Sequence, residues 1–151
     1  MSETFTGVVG RPVIAADTAE NIGEVKGLVI DQTATYVESV HLSGRGRRAE
    51  VLPWSSIRSF GSDAVVAELS TSAEQVSSEH ETESVKGNVD MVGVRVLDTN
   101  GFEHGTVDDV MFDPSSGRLT GALTGQGRLD ADSFCSVGSY ALVIDATESH
   151  A

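Results

Sequence analysis

Asp98-Thr99-Asn100-Gly101 carries closely spaced oxygen-bearing side chains, and Asp109 stands twelfth from Asp98, the span of a calcium-binding loop. Such a loop needs an oxygen ligand at its fifth position and glycine at its sixth. Phe102 and Glu103 stand there instead, so the segment reads as a hairpin turn about Asn100-Gly101. His104 with Asp108 and Asp109 offers a second set of metal ligands. A strand alternates its side chains, which puts His104 and Asp108 on one face and Asp109 on the other. That set reads as a solvated polar face. Gly44-Arg45-Gly46-Arg47-Arg48-Ala49 fits the dinucleotide pattern G-x-G-x-x-A, which must open a helix. Glu50-Val51-Leu52-Pro53 follows it, an extended run closed by proline, so the helix is missing and the match is rejected. Cys135 is the only cysteine. No His–Asp pattern points to it, and it is expected to be a small buried hydrophobe. His41, His80 and His150 lack partners at ligand spacing, and neither a G-x-S-x-G nor a Walker sequence occurs. No catalytic, cofactor-binding or metal residue is assigned.

Residues suited to binding are easier to name. Arg45, Arg47 and Arg48 are three of the eight arginines and form the one basic spot in an acidic chain. They read either as a solvated turn or as a contact for an acidic partner or RNA. Trp54, the sole tryptophan, stands beside Pro53. It is expected to cover a barrel mouth or a seam between lobes, as core packing or as an exposed anchor for a partner.

The 151 residues carry 10 basic against 23 acidic side chains, a formal charge of −13. That field repels phosphate backbones and anionic membranes, so general nucleic-acid binding is not expected. A single cysteine gives no internal disulfide and no support for an oxidising compartment. No apolar run approaches the roughly 18–20 residues that span a bilayer, and residues 1–20 lack the pattern of a secretory signal. The expected location is the cytoplasm.

The elements that would position these residues are short, alternating and punctuated by glycine, as strands are. Ile22 to Asp31 resembles His104 to Asp113 at a constant offset (105 − 23 = 82 and 113 − 31 = 82). Phe60-Gly61-Ser62-Asp63-Ala64-Val65-Val66 has its echo in Val137-Gly138-Ser139-Tyr140-Ala141-Leu142-Val143. Two small β units of one design therefore make up the chain. Expected strands in the first are Val8–Ala15, Glu24–Ile30, Tyr36–Leu42, Arg48–Pro53 and Ala64–Leu69. A turn is expected at Gly44-Arg45-Gly46, and one helical turn over Trp54–Phe60 with Ser55 as its cap. In the second they are Gly93–Asp98, Thr106–Asp113, Arg118–Thr124 and Ala141–Ala146, with turns at Asn100-Gly101 and Asp113–Gly117. Residues 1–69 and 90–146 form the two units. Residues 70–89 read as a polar acidic linker, with a short helix near Ser72–Val76, and 147–151 as a loose tail.

This order resembles the PRC-barrel family of small β-barrels. Ile22-Gly23-Glu24-Val25 matches the family's glycine-centred opening motif, and Val51 to Val66 matches its later Leu-Pro-Trp-Ser-Ser-Ile and Gly-x-x-Ala-Val-Val pattern. Ala131 to Val143 matches more weakly, without the proline and tryptophan. The resemblance covers residues 7–69 and 90–146. It implies an all-β protein of two PRC-type barrels in tandem, related by a pseudo-two-fold as single-barrel relatives are in their dimers. Family members resemble adaptors, so the resemblance implies a non-catalytic protein working through protein–protein contacts, with a homodimer as one form. It implies no cofactor. Two rival readings stand beside it: a ribosome-assembly factor binding ribosomal protein or RNA, and a small-ligand binder with its site between the lobes.

Overall fold

The structure is a computed structural model that describes residues 3–43, 50–75 and 91–146. Along the first half run β1 (Glu3–Thr4), one helical turn α1 (Phe5–Val8), β2 (Pro12–Ala15), β3 (Asn21–Ile30) and β4 (Val37–Ser43). There follow β5 (Glu50–Pro53), a 3₁₀ turn at Trp54–Ser56, β6 (Ile57–Phe60), β7 (Val65–Ala67) and β8 (Glu74–Gln75). The second half holds β9 (Arg95–Asp98), β10 (Glu103–Phe112), β11 (Leu119–Thr124) and β12 (Gly127–Asp130). A 3₁₀ turn at Ala131–Ser133, β13 (Phe134–Val137) and β14 (Ala141–Ile144) complete it.

One strand order occurs twice. The first sheet runs β6-β7-β2-β3-β4-β5, and the second β13-β14-β9-β10-β11-β12. In each, a single parallel pair, β2 with β7 and β9 with β14, joins strands distant in sequence. Each sheet also gains one strand that the other lacks. β8 extends the first beyond β5, and β1, from the N-terminus, pairs with Met111 and Phe112 at the end of β10.

Local chemistry accounts for the turns. Gly101 takes φ +89° in the Asn100-Gly101 hairpin, and the Asp98 carboxylate accepts from the amides of Asn100 and Phe102. Gly117 takes φ +80° and donates its amide to the Asp113 carbonyl at 2.7 Å, closing the turn that Pro114 begins. Thr4 caps α1 by accepting from the Gly7 amide.

Several expectations are corrected. Val8 ends the α1 turn and Gly10 takes φ +91°, so the strand expected from Val8 starts only at Pro12. The helical turn expected over Trp54–Phe60 stops at Ser56, and its cap position is Pro53, which provides no side-chain acceptor, not Ser55. Ile57–Phe60 is a strand because β7 supplies an antiparallel partner. The short helix expected near Ser72–Val76 is replaced at Glu74–Gln75 by β8, which pairs with Glu50 and Val51 of β5. The turn expected at Gly44-Arg45-Gly46 and the linker beyond Gln75 lie outside the described residues.

The two halves share one hydrophobic core. Phe112 of β10 is completely buried and crosses into the first half, where it meets three aromatic rings edge-on. Those rings are Phe60 at 5.4 Å, Phe5 at 5.7 Å and Trp54 at 6.3 Å between centroids. Such edge-to-face pairs contribute about 0.5–1.5 kcal/mol each beyond their burial. Main-chain bonds join the halves as well. Val37 donates to the Gly117 carbonyl at 2.8 Å and Leu119 to the Thr35 carbonyl at 2.9 Å, and Tyr36 bridges Arg118. Under the 82-residue offset each of these bonds turns into the other (37 + 82 = 119, 35 + 82 = 117).

Candidate functional site

At this seam lie two recesses, each built from a 3₁₀ turn of one half and a hairpin loop of the other. In both loops an aspartate sets the conformation. Asp31 accepts from the amides of Thr35 at 2.7 Å and Tyr36 at 2.8 Å, and from the Thr33 amide and hydroxyl. Burial pushes its carboxyl up, but these hydrogen bonds together outweigh burial and hold it below the usual carboxylate range. Asp113, its counterpart 82 positions on, accepts from the Ser115 hydroxyl at 2.7 Å and amide at 2.9 Å, and these bonds depress its carboxyl too.

The larger recess encloses about 380 Å³ between Trp54, Ile57, Arg58, Ser59 and Phe60 of the first half and Pro114 and Ser115 of the second. Its aromatic wall is rigid. Trp54 stacks on Phe60 at 5.7 Å with the rings 14° apart, and the indole lies against Gly117, where a Cβ would come within 2.9 Å of it. Behind the wall, the Arg11 guanidinium sits over Phe60, donates to the Gly61 carbonyl at 2.7 Å and pairs with Glu3 at 3.0 Å. The smaller recess, about 190 Å³, lies between Ala34, Thr35, Arg118 and Leu119 on one side and Ala131, Asp132 and Phe134 on the other.

β6 forms the rim of the larger recess and is an edge strand of its sheet. Its register against β7 slips between Ile57 and Ser59, leaving Arg58 as the extra, exposed residue of a bulge. Bulges of this kind re-aim a side chain, here toward solvent beside the groove. Cys135 holds the equivalent place in β13, where the register slips between Phe134 and Ser136. Cys135 is therefore exposed, against the expectation that it would be buried. Residue type alone did not show this, because the bulge that holds it outward is defined only by the pairing of β13 with β14.

Of the expected binding residues, Trp54 is half-buried at the seam and serves both as core wall and as groove lining. Arg45, Arg47 and Arg48 lie outside the described residues. Arg58, Pro114 and Ser115 were not singled out from sequence. The repeated apolar-x-Ser-apolar pattern of Ile57–Phe60 and Phe134–Val137 was the available signal for the paired edge strands. His104 is not grouped with Asp108 and Asp109. Its Nε2 lies 2.8 Å from the buried Asp98 carboxylate, and this hydrogen bond, more than those from the Phe102 and Asn100 amides, lowers the Asp98 carboxyl. Asp109 instead accepts from the Thr6 amide and hydroxyl, at 3.2 and 2.5 Å, tying α1 to the second sheet.

The larger groove thus presents one cation, two hydroxyl-bearing serines and an aromatic face. Among the described residues it brings together no acid–base pair and no nucleophile with a base. Among the described residues, no three His, Cys, Asp or Glu side chains gather as a metal site would require. Among them, too, no helix is long and apolar enough to cross a membrane. The PRC-barrel domain family model matches the chain twice, over residues 3–73 and 85–150. No curated protein matches it.

Proposed function

We propose that this chain, which belongs to the PRC-barrel family, works as a non-catalytic adaptor that docks a protein partner in the Trp54 groove and along β6. PRC-barrel domains are a non-catalytic family associated with protein interaction. One observation carries the reading: an aromatic wall adjoins an edge strand from which a bulge holds Arg58 outward. An extended segment can add to such an edge through main-chain hydrogen bonds while side chains at alternate positions fill the groove. Arg58 favours a segment with a carboxylate at the opposing position. The proposed setting is the cytoplasm.

The interchange of seam bonds under the 82-residue offset supports a pseudo-two-fold between two PRC-type units. Such an arrangement leaves the loops and outer edges as the surface available for work. A formal charge of −13 speaks against the ribosomal RNA reading. The small-ligand reading draws on the groove's volume of about 380 Å³, near the lower end for ligand pockets, but its one charged lining group suits a peptide better.

Affinity capture from host lysate tests the proposal with wild type, Arg58→Glu, and Phe102→Ala, which alters an exposed ring on the Asn100-Gly101 turn. A protein set held by wild type and by Phe102→Ala should be lost from Arg58→Glu. Identical sets from all three, or none from any, would refute docking at this groove.

A further inference from the structure

The two sheets end differently at matched edges. In the first, β5 is covered by β8, with Glu50 opposite Gln75 and Val51 opposite Glu74. In the second, the corresponding strand β12 pairs with β11 on one side and, among the described residues, with no strand on the other. Gly127, Arg128 and Asp130 are exposed, while Leu129 packs against the core. The fold therefore displays, on its own counterpart strand, an antiparallel partner at the position that β12 leaves open.

The direction of the open groups follows from the hairpin. Thr124 and Gly127 close the two-residue turn between β11 and β12, and Leu123↔Arg128, Ala122↔Leu129 and Gly121↔Asp130 follow in register. A closing pair of this kind is hydrogen-bonded, and the ladder alternates from it. Leu129 thus bonds inward to β11, and the main-chain groups of Arg128 and Asp130 point out of the sheet edge.

We propose that β12 pairs antiparallel with β12 of a second copy of this chain, about a two-fold axis at Leu129. In that register Arg128 lies opposite the partner's Asp130, Asp130 opposite the partner's Arg128, and the two Leu129 side chains meet across the axis. The residues whose main-chain groups leave the sheet edge are the ones the register sets face to face, and the Asp130 carbonyl, which already accepts from the Ser133 hydroxyl at 2.7 Å, has a second lone pair for the partner's Arg128 amide, so four hydrogen bonds can form. Each exposed charge meets its opposite on one face, and the leucines meet on the other. No other described edge is self-complementary in this way. β6 carries only Arg58, β13 carries no charge and already donates its Val137 amide to the Gln32 carbonyl, and β8 consists of Glu74 and Gln75. For chains of charge −13, this is the described edge where two copies can meet with opposite charges aligned.

Sedimentation velocity from 10 µM to 1 mM reads the association of the full chain. By symmetry, either Arg128→Asp or Asp130→Arg turns both charge pairs repulsive and should weaken the dimer roughly tenfold or more. The double swap R128D/D130R restores opposite charges and should return the affinity to within about threefold of wild type. Asp130 also accepts from the Asp132 amide, so circular dichroism of each variant accompanies the measurement. A second test does not depend on the swaps. L129C in a C135S background sets position 129 against itself, at the roughly 4.5 Å Cα spacing of a non-hydrogen-bonded pair, and mild oxidation should trap a disulfide-linked dimer. Wild type that stays monomeric to 1 mM, a dimer indifferent to both single swaps, or failure of L129C to cross-link would each overturn the proposal.

Discussion

Gly117→Ala should destabilise this protein more than any comparable change at its other hairpin turns. Two costs coincide at that residue. Its φ is +80°, where an L side chain costs about 1–2 kcal/mol. The added Cβ would also stand 2.9, 3.0 and 3.2 Å from Trp54 ring atoms. Trp54 cannot swing aside freely, because it stacks on Phe60 and meets Phe112 edge-on. Forcing a methyl group into such packing costs about 1–3 kcal/mol more, for a total of roughly 2–5 kcal/mol. Gly101→Ala is the control: its φ is +89°, yet nothing lies within 4 Å of its added Cβ, so it should cost only the dihedral share, about 1–2 kcal/mol. Urea denaturation followed by Trp54 fluorescence and by circular dichroism measures both. Trp54 is the only tryptophan, so its emission in the folded G117A protein reports the displaced ring directly. Equal losses for G117A and G101A would refute the account of the seam, and so would an unchanged native emission spectrum.

Two further predictions concern titration and reactivity. Burial, and then the charge of Lys26, lower His41, so its folded value lies below the unfolded value of about 6.5. The unfolded chain binds the proton more readily, and the stability this gives is complete above about pH 6.5 and is lost as pH falls through the folded value. The stability advantage of wild type over His41→Gln should therefore shrink between pH 8 and pH 5 in urea titrations; an advantage that grows on acidification contradicts the burial of the ring. Asp31, Asp98 and Asp113 are also depressed, so a second loss should follow below about pH 3.9, the unfolded value. Cys135, exposed on its bulge, should react fully with a thiol reagent in the native protein. Labelling that waits for unfolding would mean that β13 is not bulged there.

The turns were readable because their chemistry is local. Asn100-Gly101 and Asp113-Pro114-Ser115-Ser116-Gly117 each carry the glycine their backbone needs, and both adopt the expected turn. The long strands β3, β4, β10 and β11 were readable for a similar reason, since a two-residue rhythm needs no knowledge of the partner. Ile57–Phe60 and Phe134–Val137 were not, because four residues without a two-residue apolar rhythm form a strand only when β7 or β14 offers an edge. Gly127-Arg128-Leu129-Asp130 is likewise a strand because β11 folds back on it. Of the groove, Trp54 was visible as the single tryptophan beside a proline. Pro114 and Ser115 belong to the other half of the chain, and no spacing announces that they face it.

The sequence by itself determined that a β unit is written twice, where its hairpins turn, and that the chain carries a formal charge of −13, since periodicity, turn residues and net charge are local or additive. The tertiary structure alone decided that Phe112 of one half is buried among the rings of the other. It also decided which described strands end at an open edge, and that Arg58 and Cys135 are the extra, exposed residues of matched bulges. Those outcomes depend on pairings between residues far apart in the chain, and a one-residue slip in such a pairing reverses every side chain beyond it.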